Sequence, residues 1–181
     1  FTTKVAVYVL WRTFPGTPLL LWMGVAMALY GAIFALREDD IRRTLAYGIV
    51  NQVGMILAAI GLGGELALNG AAAQAVAGIA YTGLMLMVTG SVIDATGKRR
   101  CSELGGLARQ MPVAAICCVV AAATMAGAPL SFGFLGKGMI VQAAAEAHQQ
   151  WAWLLLKLAS VGVVLYGGLK LPWFIFLRPR A

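Results

Sequence analysis

Charged and titratable residues are scarce in this chain. Only 12% of its 181 residues are Asp, Glu, Lys or Arg, there is one histidine, and 61% of the residues are hydrophobic. A soluble domain averages about 45–50% apolar and about 25% charged residues, so this composition indicates an integral membrane protein. The net charge of +7 does not indicate nucleic-acid binding, because the basic residues lie in short loops between apolar runs.

The residue types that hold cofactors or perform bond chemistry are also few. The three cysteines are Cys101, Cys117 and Cys118, and an odd number with two adjacent in an apolar run indicates buried thiols. His148 alone cannot supply two axial haem ligands, and the sequence has no Cys-x-x-Cys, phosphate-binding glycine loop or paired catalytic carboxylates. We therefore expect no cofactor and no metal, and a protein that is not itself an enzyme.

Long apolar runs make up most of the chain. A membrane-spanning helix needs about 20 mostly apolar residues. The runs predict an all-α, polytopic transmembrane bundle in a single domain over 1–181, packed through small residues such as those at 71–73 and 121–123. We expect spans at about 1–14, 18–36, 44–62, 68–93, 111–147 with a break, and 151–177. Because the chain opens without methionine and partway into an apolar segment, we expect a fragment of a longer protein.

Lys137 is the one charge between Met111 and Ala145, and it follows a helix-breaking Ala-Gly-Ala-Pro at 126–129. A charge at mid-bilayer costs ~2.5–3.5 kcal/mol on insertion scales, so an intramembrane lysine indicates ion or proton movement by default. The alternative is that the amine snorkels to the headgroups. We predict a discontinuous helix near 126–137, with Lys137 able to take up and release a proton as its surroundings change.

Three other lysines lie in apolar runs. Lys4 is either an interfacial anchor or, with apolar helix upstream of it, a group at mid-membrane. Lys170 follows a Gly-Gly pair and precedes Pro172, where an irregular helix could leave carbonyls free for its amine. Proton transfer and packing both remain open for Lys170. Lys157 is interpreted as a snorkelling residue.

Basic residues cluster in two of the loops between spans. With alternating spans, seven of them fall on one side and Arg12 alone on the other, so the loops at 37–43 and 94–110 are predicted to face the cytoplasm. We expect a multi-pass protein of the bacterial inner membrane. Two topologies stay open after residue 126: the apolar piece at 134–147 crosses the membrane separately, or it is half of a broken helix.

The loop at 37–43 also contains a predicted helix cap. Asp40 suits the N-cap of the following helix, because its carboxylate would accept hydrogen bonds from free N–H groups at the positive end of that helix. Arg42 and Arg43 come next in the sequence, and we interpret all three as cytoplasmic loop charges.

Short motifs in a fixed order cover nearly the whole chain. They are Thr3-Lys4-Val5-Ala6-Val7-Tyr8, Arg12-Thr13-Phe14-Pro15, Asp40-Ile41-Arg42-Arg43-Thr44-Leu45-Ala46-Tyr47, Asn51-Gln52-Val53-Gly54, Glu65-Leu66-Ala67-Leu68-Asn69-Gly70, Ser102-Glu103-Leu104-Gly105-Gly106, Met111-Pro112, Gly133-Phe134-Leu135-Gly136-Lys137 and Gly168-Leu169-Lys170-Leu171-Pro172-Trp173-Phe174. The set resembles the antiporter-like subunits shared by respiratory complex I and Mrp-type cation/proton antiporters, and among these the D-type Mrp subunits most closely. The resemblance implies part of a larger inverted-repeat subunit with a central line of proton-carrying side chains.

The resemblance implies roles for several residues. Lys4 matches the first relay lysine and Lys137 the lysine of the second broken helix, while the acidic partner of Lys4 would lie upstream. The family usually carries three titratable groups, spaced by four residues, on one face of the span before the long basic loop. Here those degenerate relay positions read Gln74, Gly78 and Thr82. Water would then have to bridge the gap, with Gln74 and Thr82 as polar holders.

These observations lead to one functional expectation and two alternatives. We expect a proton-translocating subunit of a multisubunit monovalent cation (Na+ or K+)/proton antiporter, working through Lys4, Lys137 and Lys170 beside other membrane subunits in the lipid bilayer. The first alternative is a proton-pumping membrane-arm subunit of complex I or a membrane hydrogenase, whose redox chemistry would lie in other subunits. The second is a non-conducting scaffold subunit that has lost its relay at Gln74, Gly78 and Thr82.

Overall fold

The computed structural model describes residues 2–178, and within that range the chain folds into helices without a strand. The helices are α1 Thr2–Thr13, α2 Pro18–Arg37, α3 Ile41–Leu62, α4 Glu65–Thr96, α5 Pro112–Ala126, α6 Phe132–Glu146 and α7 Gln150–Val163. Two π-helical turns, Val164–Lys170 and Trp173–Leu177, extend α7. In the described part of the chain, α2, α3, α4 and the extended α7 are long and apolar enough to cross a membrane. This architecture confirms the predicted all-α polytopic bundle.

Local sequence explains where several helices begin and end. The Asp40 carboxylate accepts hydrogen bonds from the backbone N–H groups of Arg42 at 2.8 Å and Arg43 at 3.3 Å, which confirms the predicted N-cap of α3. At the other end of α3, Gly63 adopts a left-handed φ of 70°, and Gly97 ends α4 in the same way at 69°. A residue without a Cβ adopts this conformation at little cost, so glycine marks both ends.

The predicted broken helix is present and consists of α5 and α6. α5 ends at Ala126, residues 127–131 form an irregular link, and α6 starts at Phe132. α5 begins beside the long basic loop, whereas the end of α6 lies against residues 62–67 at the opposite end of the bundle. The two short helices therefore run together from one end of the bundle to the other, which favours the broken-helix topology over a separate crossing for 134–147.

Helices α2 and α3 pack with their backbones in contact. A Cβ added to Gly24 would lie 2.7 Å from the Gly54 carbonyl oxygen, and one added to Gly31 would lie 2.6 Å from the Tyr47 carbonyl oxygen. Asn51, fully buried on α3, donates a side-chain hydrogen bond of 2.6 Å to the Ala28 carbonyl on α2. Small residues permit this close approach. Helices in a membrane associate through such close packing, because the hydrophobic effect does not favour helix–helix contact over contact with lipid tails.

Two buried apolar clusters occupy the two ends of the bundle. One is centred on α2 and α3, where Met55 and Ile60 pack with Ile140 of α6 and Leu156 of α7. The other lies beneath the basic loops, and its members are Ile41, Leu45, Met85, Val88, Val92, Cys101, Leu104, Leu107, Cys118, Ala121, Ala122, Leu171, Ile175 and Phe176. A smaller third cluster includes Tyr81 and Tyr166 and adjoins the polar residues described below.

The backbone contact between α2 and α3 predicts that Gly31→Ala will destabilise the protein. The added methyl group has no space against the α3 backbone, and overpacking of this kind costs about 1–3 kcal/mol. Thermal unfolding in detergent, followed by tryptophan fluorescence, should show a lower midpoint. Gly90→Ala is the matched control, because a Cβ at Gly90 meets no atom within 4 Å. Equal midpoints for the two variants would contradict the packing argument.

Candidate functional site

Lys137 lies on α6 with its amine directed back to the end of α5. The residue is 5% exposed, and its Nζ donates a hydrogen bond to the backbone carbonyl of Met125. Within residues 2–178 the ion pairs are Arg43–Glu38 and Arg100–Glu103, so none involves Lys137. The ammonium of Lys137 is therefore stabilised by the dipole of a backbone carbonyl and not by a carboxylate.

The break explains why the Met125 carbonyl is free to accept this bond. The N–H of Gly127 bonds the carbonyls of Ala123 and Thr124, and the N–H of Ala128 also bonds Ala123. The chain then leaves the helix through the left-handed Gly127, at φ 87°, before any later N–H reaches Met125. The last carbonyls of a helix carry partial negative charge, which favours a cation at this position.

Lys137 also borders a surface groove of about 340 Å³, the Lys137 groove. Its other lining residues are Ala126, Gly127, Phe134, Gly138, Val141, Lys157, Ser160 and Val161. The exposed Lys157 places its Nζ 3.8 Å from the centroid of the Trp153 ring, in cation–π geometry. The buried amine therefore borders a groove that opens to the surface of the described chain. The charged residues of this groove are Lys137 and Lys157.

Lys4 lies between a second groove and the interior. It is half-buried on α1 and borders a mostly apolar groove of about 270 Å³ between α1 and α4, the α1–α4 groove. On the inner side its amine approaches Gly78: a Cβ at that glycine would lie 3.0 Å from Lys4 Nζ. The same point is 3.5 Å from the hydroxyl oxygen of Tyr81. The two polar groups thus face each other across a glycine.

Behind Gly78 lies a buried network of three uncharged polar side chains, the amide–tyrosine network of Gln52, Gln74 and Tyr81. Gln74 Nε2 donates to Gln52 Oε1 at 2.6 Å and to the Tyr81 hydroxyl at 3.0 Å, and that hydroxyl donates to Gln52 Oε1 at 2.8 Å. Each residue is at most 2% exposed. Among the described residues, Gln74 Oε1 and Gln52 Nε2 have no hydrogen-bond partner.

The degenerate relay positions have three different environments. Gln74 is fully buried in the network, Gly78 is buried beside the Lys4 amine, and Thr82 is half-buried. The hydroxyl of the network belongs to Tyr81, whereas the sequence predicts Thr82 as a polar holder. Sequence reasoning also misses Gln52, although an Asn-Gln pair inside the apolar run of α3 is an available signal.

Lys170 lies on the π-helical extension of α7 and reaches the end of α2. Its Nζ donates to the carbonyls of Ala35 and Leu36, both at 3.0 Å, and to that of Glu38. All three acceptors belong to the last turn of α2 or the residue that ends it, where helix carbonyls lack intrahelical partners. This geometry favours packing, one of the two interpretations that the sequence leaves open for Lys170.

The two basic loops are hydrogen-bonded to each other at the same end of the bundle. Asp39 accepts from the Ser102 hydroxyl at 2.6 Å and from its N–H at 3.1 Å, and Asp40 pairs with Arg100 in an antiparallel bridge. Arg42 and Arg43 stay exposed. Burial raises the pKa of the nearby Cys101 thiol to about 11, and the Lys170 ammonium partly opposes the rise. At neutral pH this thiol is protonated and unreactive.

Two substitutions at Lys170 test whether this residue caps the end of α2 or transfers protons. Lys170→Met removes three donors from the end of α2, and we expect a loss of about 1–3 kcal/mol of stability, measured by thermal unfolding. Lys170→Arg keeps the charge and the donors but cannot release a proton. We expect this variant to restore both stability and proton uptake by membrane vesicles. A stable Lys170→Arg protein without proton uptake would show that the lysine itself carries protons.

Comparisons with known proteins identify the family to which this chain belongs. The family model for NADH:quinone oxidoreductase/Mrp antiporter transmembrane proteins matches residues 2–163. The chain is 34% identical to the N subunit of NADH-quinone oxidoreductase from Desulforudis audaxviator, covering 90% of this chain and 34% of that protein. It is 26% identical to the D subunit of the Na(+)/H(+) antiporter from Bacillus subtilis, over 93% of this chain and 36% of that protein.

The same relationship holds in three dimensions. The structure of the Mrp complex from Dietzia sp. contains a chain that superposes with a TM-score of 0.87 and 29% identity, covering 98% of this chain and 35% of that one. The chain thus spans about a third of the length of these relatives. Because the family model covers most of it, the chain belongs to the NADH:quinone oxidoreductase/Mrp antiporter transmembrane family of multi-pass membrane proteins.

Proposed function

We propose that this chain is part of a proton-translocating subunit of a multisubunit monovalent cation/proton antiporter, in which Lys4 and Lys137 take up and release the transported protons. Its partners are other membrane subunits of the same assembly, its location is the bacterial inner membrane, and the exchanged cation is Na+ or K+. A relative supports this assignment, because it is named as the D subunit of a Na(+)/H(+) antiporter.

The observation that carries the proposal is the burial of Lys137 at the end of a broken helix. Placing an ammonium at mid-bilayer costs ~2.5–3.5 kcal/mol, and one hydrogen bond to a charged group contributes about 1.5–3 kcal/mol. The hydrogen bond to the Met125 carbonyl therefore offsets much of the cost of burying the ammonium. Unlike an ion pair with a carboxylate, it does not hold the lysine permanently in its charged form. Because no carboxylate is paired with it within residues 2–178, the amine can release its proton without leaving an unpaired buried anion behind, as a proton carrier requires.

Two alternatives rest on separate observations. A proton-pumping membrane arm of a respiratory complex is supported by the relationship to the N subunit of NADH-quinone oxidoreductase. A non-conducting scaffold is supported by the uncharged residues between the two lysines, because Gln74, Gly78 and Thr82 do not titrate. We favour transport over the scaffold, because drift that erased transport should also have erased the costly buried lysine at position 137.

The proposal predicts that Lys137→Ala abolishes proton flux while the protein still inserts and assembles. Flux should be measured in inverted membrane vesicles by quenching of an acridine dye, with the protein in its native assembly. Lys137→Arg should also fail, because an arginine keeps the charge but cannot release a proton. Lys98→Ala, at an exposed loop lysine, is the control and should leave flux unchanged. Wild-type flux in Lys137→Ala vesicles would refute the proposal.

A second experiment separates transport from the scaffold alternative. The triple variant Gln74→His, Gly78→His, Thr82→Lys places titratable groups on the degenerate face of α4. If the wild-type assembly conducts protons and Lys137→Ala abolishes that flux, as we expect, the scaffold alternative is excluded whatever the triple variant does. Flux that is absent in the wild type and appears in the triple variant would establish the scaffold instead.

A further inference from the structure

The surroundings of Lys4 differ on its two sides. The outer side is the α1–α4 groove, whose lining apart from Lys4 is apolar or aromatic: Val7, Tyr8, Trp11, Ala71, Ala72, Ala75 and Val76. The inner side is the amide–tyrosine network, reached across Gly78. A lysine amine sits on a flexible four-carbon chain, so its head group can move between the two sides without any movement of α1.

Gly78 leaves this inner route open. The three atoms nearest to its hypothetical Cβ, outside its own helix backbone, are Lys4 Nζ, Lys4 Cε and the Tyr81 hydroxyl oxygen. Any larger residue at this position would put carbon between the amine and the hydroxyl. Elsewhere on α4, a Cβ at Gly83 meets no atom within 4 Å, so that glycine serves as a comparison position on the same helix.

The Tyr81 hydroxyl is prepared to accept another hydrogen bond. A phenolic oxygen donates one hydrogen bond and has lone pairs for acceptors. Here its hydrogen is directed to Gln52 Oε1 and one lone pair accepts from Gln74, so a further lone pair is left for an incoming donor. The two glutamines fix the direction of that lone pair, because both amides are buried and bonded to each other.

The network also extends to the helix that carries Lys137. Gln74 Oε1, an acceptor without a partner in residues 2–178, lies 2.8 Å from the position of a Cβ on Gly136. Gly136 directly precedes Lys137 on α6. The three uncharged side chains therefore span the interior from the amine of Lys4 to the backbone beside Lys137.

We propose that Tyr81, oriented by Gln52 and Gln74, is the inner docking point of the Lys4 ammonium, which reaches it across Gly78. This rests on the proposed function, in which Lys4 carries a proton. Tyr81 is then a positioning residue: Lys4 Nζ donates a hydrogen bond to the Tyr81 oxygen in the inner position and gives it up in the α1–α4 groove. No bond to carbon or oxygen forms or breaks in this step.

The test compares Gly78→Ala and Tyr81→Phe with Gly83→Ala in membrane vesicles that contain the full assembly. The alanine at 78 places a methyl group 3.0 Å from a flexible amine, which it displaces without straining backbone. Phenylalanine at 81 keeps the ring and removes the acceptor. A hydrogen bond to a charged group is worth about 1.5–3 kcal/mol, so we expect proton flux to fall by roughly tenfold to a hundredfold in both, with no change in Gly83→Ala.

The pH profile distinguishes positioning from a merely structural effect. Loss of the acceptor disfavours the ammonium form at the inner position, so the pH of half-maximal flux should move downward in Tyr81→Phe. Lower flux with an unchanged profile would mean that the variant only reduced the amount of folded protein, and would overturn the inference.

Failure of the inference can be told apart from failure of the proposed function. If Lys137→Ala abolishes flux while Gly78→Ala and Tyr81→Phe retain wild-type flux and pH profile, the subunit transports protons and Lys4 does not dock on Tyr81. If Lys137→Ala retains flux, the proposed function is refuted, and the inference that rests on it is refuted as well. Combining Gly78→Ala with Tyr81→Phe gives a further check, because two variants that break the same contact should lower flux no more than either alone.

Discussion

The hydrogen bond from Lys137 to the carbonyl of Met125 is the interaction on which the rest of the arrangement depends. An ammonium inside an apolar bundle needs an acceptor, and an unbroken helix has none to give because each carbonyl bonds the N–H four residues later. The turn at Gly127 ends α5 and releases that carbonyl. The break and the buried charge are thus one feature, since each would be unfavourable without the other.

Between the two lysines the interior is polar but uncharged. Gln52, Gln74 and Tyr81 satisfy much of each other's hydrogen-bonding capacity, and within residues 2–178 the Gln52 Nε2 and Gln74 Oε1 atoms have no partner. Buried amide groups without partners are costly in a low-dielectric interior. Lys4 and Gly136, the residue before Lys137, lie at its two sides, so the interior between the two lysines is lined by dipoles instead of titratable groups.

What could be predicted from the sequence was local. The N-cap at Asp40, the break after Ala126 and the lengths of the apolar runs each depend on residues within a turn or two of one another. The partners of Gln52 are 22 and 29 residues away, and those of Lys170 are 132 to 135 residues away, so no sequence window contains both sides of either contact. The sequence also did not show that the hydroxyl in the network belongs to Tyr81 and not to its neighbour Thr82. A step of one residue turns a side chain by about 100° around the helix, so only the packing decides which of the two faces the interior.

The contacts at the basic-loop end have a mechanical consequence. Lys170 fastens the extension of α7 to the end of α2, and Asp39 fastens the start of α3 to Ser102, in the loop that follows α4. The loops at this end therefore cannot separate, and the end of α2 cannot move away from α7, without breaking these hydrogen bonds.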